Sequence, residues 1–295
     1  MSKRLLAHIA LFTANLIYGI NYTVAKDVMA DFIQPLGFIF LRVSGAVLLF
    51  WLCYRLFFYE KVVKNDLFKL ALCGLFGVAI NQMLFFEGLN LTTPINAAVI
   101  MVTNPILVLI MGAFLATEAI TKRKILGIAL GATGAISLIT YGGAVELNSD
   151  HFWGNIMVLI NAASYGVYLV LVKPLMQKYK PITVISWVFL FGFIYVIPFG
   201  WGEFQVIEWT SMPTDIIWKA AFVVICTTFM AYLLNIYGLK SLNPSTVSTY
   251  IYLQPVLASL VAIFAGSDSL STIKIGAALI IFAGVYLVSV RPKQY

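Results

Sequence analysis

Two ionisable side chains lie deep inside apolar stretches of this 295-residue sequence, where a charge is costly and usually serves a function. Arg42 lies seven residues after Pro35, where its stretch begins, and Glu87 lies seven residues before Pro94, where the next stretch begins, so similar depths are expected. The sequence therefore predicts that the two side chains approach each other as a charge pair. Alternatively, either one could extend along its own stem to the nearest polar surface, or Glu87 without a cation could carry a coupling proton.

Amide and phenol side chains recur at helical spacing in six of the apolar stretches. Such groups donate and accept hydrogen bonds without a fixed charge, so together they could surround a small polar solute. For each of them, an ordinary hydrogen bond between neighbouring helices is the alternative. The residues predicted to bind the solute are Tyr18, Asn21, Asn81, Gln82, Asn104, Tyr165, Tyr168, Asn235, Tyr250 and Gln254.

Two prolines, Pro105 and Pro255, lie in the middle of apolar stretches, each directly after an amide residue. A proline inside a helix leaves the carbonyl four residues earlier without its donor, here Met101 and Ile251. Because a free carbonyl facing lipid would be costly, these helix kinks are expected beside the solute cavity. A kink that only packs against a neighbouring helix is the alternative.

Two lysines, Lys26 and Lys173, close the first and sixth apolar stretches. Lysine at such a position commonly anchors a helix end at the membrane interface. The alternative is that each lysine guards one entrance and attracts anionic groups of a solute.

The apolar stretches that must position these residues have the length of membrane-spanning helices. Hydrophobic residues make up 61% of the sequence and charged residues 11%, against about 25% charged in soluble domains. A run of about 20 apolar residues crosses a hydrocarbon core of roughly 30 Å. Ten such spans are predicted, with ends accurate to roughly two to four residues, at 5–26, 35–54, 67–90, 94–117, 122–141, 152–173, 182–200, 215–239, 244–266 and 271–290.

The basic residues predict the orientation of these spans. With the N-terminus in the cytoplasm, fifteen of the nineteen Lys and Arg residues fall on the inner side, three fall outside, and Arg42 lies within a span. Short cytoplasmic loops carry such an excess of positive charge. Both termini are therefore expected in the cytoplasm, and the net charge of +7 follows topology, so no nucleic-acid partner is predicted.

The second half of the chain repeats landmarks of the first. Each recurs 150 residues later, as Gly88, Pro94 and Pro105 become Gly238, Pro244 and Pro255. With five spans in each half, the second half enters the membrane from the opposite side. The sequence predicts an all-α membrane protein with ten transmembrane helices as two inverted five-helix repeats, residues 1–146 and 147–295.

At these residues the chain resembles the EamA-type family of the drug/metabolite transporter superfamily. The resemblance rests on the order and spacing of Tyr18-Gly19-Ile20-Asn21-Tyr22, Lys26, Pro35, Arg42, Gly88-Leu89, Thr92-Thr93-Pro94, Asn96-Ala97-Ala98, Asn104-Pro105 and Glu118. Tyr18 stands where Trp is usual, and Glu87 where an apolar or aromatic residue is common. The resemblance implies a carrier of the bacterial inner membrane, often an exporter of amino acids or other small metabolites, with a cavity between its halves.

The sequence therefore favours a secondary transporter that exports small metabolites such as amino acids by alternating access around a central midplane cavity. Its partners would be a small-molecule solute and the lipid bilayer. A sugar-phosphate or nucleotide-sugar exchanger, an uptake carrier, and a nontransporting scaffold or receptor are alternatives. No cluster of nucleophile, base or metal ligands occurs in the spans, so neither an enzyme, a metal nor a cofactor is predicted, and no feature sets an oligomeric state.

Overall fold

Every regular segment in the described residues is helical. The computed structural model describes residues 2–92, 97, 100–115, 119–142, 152–264 and 271–289. Ten helices follow in chain order: α1 Lys3–Asp31, α2 Pro35–Phe57, α3 Lys64–Leu91, α4 Asn104–Phe114, α5 Lys122–Gly142, α6 Phe152–Lys178, α7 Pro181–Gln205, α8 Thr214–Ser241, α9 built of Pro244–Thr249, Tyr250–Tyr252 and Leu253–Phe264, and α10 Thr272–Ser289.

Each predicted span overlaps one of these helices. Five of them, α2, α3, α6, α7 and α8, are long and apolar enough to cross a bilayer, and α4 and much of α10 are shorter apolar helices. The all-α membrane class is thus confirmed for the described residues. A total of ten spans stays a prediction.

Local sequence signals account for several helix starts. The Ser2 hydroxyl accepts a hydrogen bond from the Leu5 amide at 3.2 Å and caps α1. Helices α2, α7 and α9 each begin with a proline, at Pro35, Pro181 and Pro244. Proline suits this position because the first amides of a helix have no partner inside it.

Helix contacts repeat when the two halves of the chain are exchanged. Helix α3 packs on α6 as α8 packs on α1, α4 packs on α6 as α9 packs on α1, and α3 packs on α7 as α8 packs on α2. In addition, α2 packs on α7, α4 on α9 and α5 on α10. The two halves therefore interlock in one bundle instead of forming separate units.

Glycine permits close contacts between these helices. A Cβ added to Gly88 of α3 would lie 2.9 Å from the carbonyl oxygen of Gly154 in α6, and one on Gly154 would lie 2.8 Å from the Gly88 oxygen. Small residues let membrane helices approach until their backbones touch, which compensates for the weak hydrophobic drive in lipid. The contact fixes the spacing between α3 and α6.

Three helices lose regular α geometry near their middles. Leu75–Ala79 of α3 and Val223–Met230 of α8 form π-helical turns, and Tyr250–Tyr252 of α9 forms a 3-10 turn. In α8 the Thr228 hydroxyl donates to the Val223 carbonyl at 2.8 Å and satisfies one backbone acceptor in the widened turn. Such turns often mark functional sites because they redirect neighbouring side chains.

Candidate functional site

A cavity lies in the centre of the bundle. The volume that the centres of water molecules can reach inside it is about 120 Å³. This is several times the roughly 10–15 Å³ of such volume that one water requires. Helices α1, α2, α3, α6, α8 and α9 surround it. The lining residues are Asn15, Tyr18, Asn21, Arg42, Asn81, Gln82, Phe85, Phe86, Met101, Asn161, Tyr165, Thr227, Tyr232, Asn235, Val247, Ile251 and Gln254.

Most residues that the sequence proposed for solute binding border this cavity. They are Tyr18, Asn21, Asn81, Gln82, Tyr165, Asn235 and Gln254, and Arg42 joins them from α2. Six helices were expected to supply polar groups. The structure differs in that α2 takes part, while α4 contributes through Met101, just before the helix begins.

Three of the predicted solute-binding residues do not border the cavity. Asn104 is fully buried and its Nδ2 donates to the Ala162 carbonyl of α6 at 3.0 Å. The Tyr168 ring lies against α3 so closely that a Cβ on Gly77 would be 2.4 Å from it. The Tyr250 hydroxyl lies 2.6 Å from Nδ1 of His8. These three side chains join helices to one another.

The expected charge pair between Arg42 and Glu87 is not formed. Among the described residues, the ion pairs join Lys178 to Asp66, and Lys219 to Asp27 and Asp215. Successive residues of an α-helix point about 100° apart. Because Phe86 faces the Arg42 guanidinium, Glu87 is turned away from it.

Glu87 instead lies on the side of the bundle that holds Glu203 of α7, whose carboxylate interacts with it electrostatically. The Glu203 carboxylate also accepts a hydrogen bond from the Gly37 amide at 2.9 Å. Glu87 is partly exposed and does not line the cavity. Similar depth in the sequence therefore did not bring the two charges together.

Arg42 is held from two sides. Its side chain is 3% exposed, and Nε donates to the Thr228 hydroxyl of α8 at 3.2 Å. The guanidinium carbon lies 4.6 Å from the centre of the Phe86 ring and 5.9 Å from that of Phe38. A cation over an aromatic face is stabilised by the ring electrons, and such contacts orient the guanidinium plane.

Amide and phenol groups form hydrogen bonds across the cavity wall. Gln82 Nε2 donates to the Tyr232 hydroxyl at 3.1 Å, and Asn235 Nδ2 donates to the Tyr165 hydroxyl at 3.1 Å. Tyr18 packs edge-on against Tyr232, with ring centres 6.4 Å apart. These bonds join α1, α3, α6 and α8 around one space.

Several of these contacts join positions that are equivalent in the two halves. Gln82 and Tyr232 are 150 residues apart, as are Tyr252 and Val102, whose hydroxyl and carbonyl lie 3.1 Å apart. Two further bonds correspond to each other. Asn104 donates to the Ala162 carbonyl of α6, and Gln254, which is equivalent to Asn104, donates to Asn15 Oδ1 of α1 at 2.9 Å. The repeat in the sequence thus recurs as a repeat of contacts around the cavity.

Five polar atoms of the cavity lining are buried without a hydrogen-bond partner. Native proteins satisfy most buried polar groups, so a set of orphaned groups around one space indicates that a ligand or water completes them. The atoms are Asn21 Oδ1, Arg42 Nη1, Gln82 Oε1, Asn161 Oδ1 and Thr227 Oγ1.

The two mid-stretch prolines lie where the helices are interrupted. Pro105 is the second residue of α4, and Pro255 follows shortly after the 3-10 turn of α9. Their missing amides therefore fall near helix starts, where they cost little. Met101 and Ile251, four residues before the prolines, both line the cavity.

Of the two lysines predicted at helix ends, Lys26 and Lys173, the structure describes the side chain of Lys173. Lys173 Nζ contacts the carbonyl oxygens of Leu239 and Leu242 at the C-terminal end of α8, where a positive charge is favourable. Lys173 is therefore tied to a helix end. The side chain of Lys26 lies outside the described residues.

Sequence reasoning missed Phe86, Thr227 and Thr228. Phe86 is one aromatic residue in an apolar run, and in the sequence the adjacent Glu87 was the residue with a functional signal. A pair of adjacent hydroxyls within the apolar run of α8 was the available signal for the threonines.

Long apolar helices around a polar central cavity are characteristic of membrane transporters. The chain belongs to the EamA-like transporter family, whose model matches residues 5–140 and again residues 152–290, one match for each half. The resemblance seen in the sequence is thereby confirmed, and the protein is a multi-pass membrane transporter of the drug/metabolite transporter type.

Relatives match along nearly the whole chain. An uncharacterized transporter of Archaeoglobus fulgidus is 24% identical over 97% of this chain and 98% of its own. The uncharacterized transporter YyaM of Bacillus subtilis is 24% identical over 99% and 97%, and a WAT1-related protein of Arabidopsis thaliana is 23% identical over 97% and 86%. One protein of known crystal structure superimposes with a TM-score of 0.78 at 17% identity, over 96% of this chain and 97% of that one, which shows a shared fold.

Proposed function

We propose that this protein is a secondary transporter that exports a small metabolite, such as an amino acid, by alternating access around the central cavity. The observation that carries the proposal is the cavity itself, which is lined by helices of both halves and holds five orphaned polar atoms. Buried polar groups usually have hydrogen-bond partners, and five of the nine orphaned atoms in the described residues border this one space. A solute that binds there would complete them.

Inverted repeats supply the mechanism. Two five-helix repeats of opposite orientation would be related by an axis in the membrane plane, with the solute near the midplane. The exchange of helix contacts between halves and the bond between Gln82 and Tyr232 support this arrangement. Rocking one half against the other would then open the cavity to each side in turn.

The proposed topology places both termini in the cytoplasm of a bacterial cell, with the protein in the inner membrane. Arg4 at the start of α1 contacts the carbonyl oxygen of Ser289 at the end of α10, so the two helix ends share one face of the bundle. Lys219 of α8 pairs with Asp27 of α1, two residues that the sequence assigns to the outer side. These pairings are compatible with the charge bias.

A sugar-phosphate exchanger fits the cavity less well. Phosphate carries more than one negative charge and is usually held by several basic groups. In the described lining, Arg42 is the single basic residue. A solute with at most one negative charge matches this site better.

Metabolite profiling of the growth medium tests the export proposal. Cells that express the wild-type chain are compared with empty-vector cells at matched growth, together with Asn235→Trp and Tyr237→Trp. Both substitutions add an indole to α8, but Asn235 lines the cavity whereas Tyr237 is 36% exposed on the outside of the bundle.

We expect wild type and Tyr237→Trp to accumulate the same metabolite class outside the cells, and Asn235→Trp to lose this accumulation. An unchanged medium with wild type, or full export by Asn235→Trp at matched membrane expression, would contradict export through this cavity.

A further inference from the structure

Arg42 places one unneutralised positive charge in the wall of the cavity. Its Nε is engaged by Thr228, its Nη1 is buried without a partner, and its side chain is 3% exposed. The residues that line the cavity in the described part of the chain include no Asp or Glu. The ion pairs of the described residues also leave Arg42 out.

An unpaired charge in such a place is costly. Removing a guanidinium from water is compensated only by an opposite charge or by well-formed hydrogen bonds. Phe86 offers partial compensation through its ring, and Thr228 accepts one of the five N–H bonds of the group. The remaining donors at the guanidinium tip have the planar geometry that matches the two oxygens of a carboxylate.

We propose that Arg42 is the carboxylate anchor of the solute site, and that the protein selects small organic acids carrying a single negative charge. This inference rests on the proposed transport function and names the chemical class of its cargo. Because Arg42 is fixed by Thr228 and Phe86 before the solute arrives, binding requires little ordering of the side chain.

Other groups in the cavity wall favour acids that also carry hydrogen-bond donors. Asn21 Oδ1, Gln82 Oε1 and Asn161 Oδ1 are buried acceptors without a partner. An ammonium or hydroxyl group on the solute would donate to them, whereas a purely hydrocarbon acid would leave them unsatisfied. Amino acids and hydroxy acids therefore fit better than simple fatty acids.

The charge also breaks the symmetry of the repeat. At the offset of 146 that relates Pro35 to Pro181, Arg42 corresponds to Val188, which is fully buried and does not line the cavity. The carboxylate thus has one docking position instead of two equivalent ones. The solute is expected to bind in one orientation relative to α2.

Acids and their primary amides test the anchor directly. Purified protein in lipid nanodiscs is titrated with lactate and lactamide, leucine and leucinamide, and phenylacetate and phenylacetamide, with binding measured by calorimetry. The variants are Arg42→Gln, which removes the charge, and Arg42→Lys, which keeps the charge but loses the planar fork. Lys219→Gln removes the same unit of charge at a residue that does not line the cavity and serves as the matched control.

We expect wild type to bind at least one acid roughly 10- to 100-fold more tightly than its amide, the range typical of a lost charge-assisted hydrogen bond. Lactate or leucine should be preferred over phenylacetate. Arg42→Gln should abolish the preference for the acid, Arg42→Lys should keep part of it, and Lys219→Gln should match wild type. Elution volume and melting temperature of each variant establish that it is folded.

Three results would each overturn the anchor. They are equal affinity for acid and amide, an acid preference that survives Arg42→Gln, and no binding of any of the three acids at about 10 mM, an order-of-magnitude ceiling for a transported solute. A flux assay separates this failure from failure of the transport proposal. Wild-type proteoliposomes loaded with a mixture of neutral, cationic and anionic metabolites would still release a neutral or cationic compound if only the anchor is wrong, and would release nothing if transport is wrong.

Discussion

The contact between α3 and α6 gives a quantitative test of how the bundle is held together. Gly88 and Gly238 are equivalent positions 150 residues apart, but their neighbours differ. A Cβ on Gly88 would lie 2.9 Å from the Gly154 carbonyl oxygen, whereas a Cβ on Gly238 would lie 2.7 Å from Cδ2 of Leu11. The Leu11 Cγ lies at the same 2.7 Å, so the leucine must change its rotamer, a movement that is open to a side chain but not to backbone.

The expected cost of Gly88→Ala follows from these distances. Ordinary contact begins at 3.4 Å, so the α3 and α6 backbones must separate by about 0.5 Å (3.4−2.9). Overpacking of this kind costs about 1–3 kcal/mol, and the gain in helix propensity from Gly to Ala returns about 1 kcal/mol. For Gly238→Ala, a displaced Leu11 costs about 0.5–1.5 kcal/mol, so the net change is near zero.

Gly276→Ala provides the matched control, because a Cβ at Gly276 in α10 meets no atom within 4 Å. Apparent melting temperatures in one detergent should rank the variants with Gly276→Ala at or above wild type, Gly238→Ala near wild type and Gly88→Ala lowest. A Gly88→Ala variant as stable as Gly276→Ala would refute the argument that backbone contact sets the spacing of these helices.

Three further outcomes are expected. Lys219→Gln should barely change the melting temperature, because the side chains of Lys219 and Asp27 are 33% and 44% exposed and pairs near the surface contribute little; a large drop would contradict this. Asp66→Ala should lower the melting temperature more than Lys219→Gln, because Asp66 is 8% exposed and accepts a hydrogen bond from the Tyr179 hydroxyl at 2.6 Å; the reverse ranking would refute it. Glu87→Gln should leave solute affinity within about 2-fold, since Glu87 lies outside the cavity; if it carries the coupling proton, only the pH dependence of transport should change, and an unaltered pH profile would rule that role out.

The helices could be predicted from the sequence because lipid imposes simple rules. A span needs about 20 apolar residues, and proline marks helix starts at Pro35, Pro181 and Pro244. Hydropathy and helix-start signals are local properties, so the predicted spans overlap the helices, and five of these are long and apolar enough to cross a bilayer. The repeat was equally visible, because duplication preserved residues at a fixed offset.

The site was harder to predict because side-chain direction depends on packing. Helical spacing placed Tyr168 and Tyr250 on polar faces, but it could not tell which neighbour each face meets. Equal depth suggested that Arg42 meets Glu87, although depth says nothing about direction around the helix axis. In α8, the π-helical turn at Val223–Met230 shifts the helical phase, so that Thr227 lines the cavity while Thr228 accepts a hydrogen bond from Arg42.

Duplication and divergence have had separate effects on this molecule. Contacts between equivalent positions of the two halves, such as Gln82 with Tyr232, lie where the proposed alternating access would move one half against the other. The groups that we propose to select the solute do not repeat: Arg42 aligns with Val188, and Phe86 aligns with Ile236. Because an asymmetric solute binds an asymmetric site in one orientation, substitutions at Arg42 should alter which solute is carried, whereas Gly88→Ala should lower the stability of the bundle.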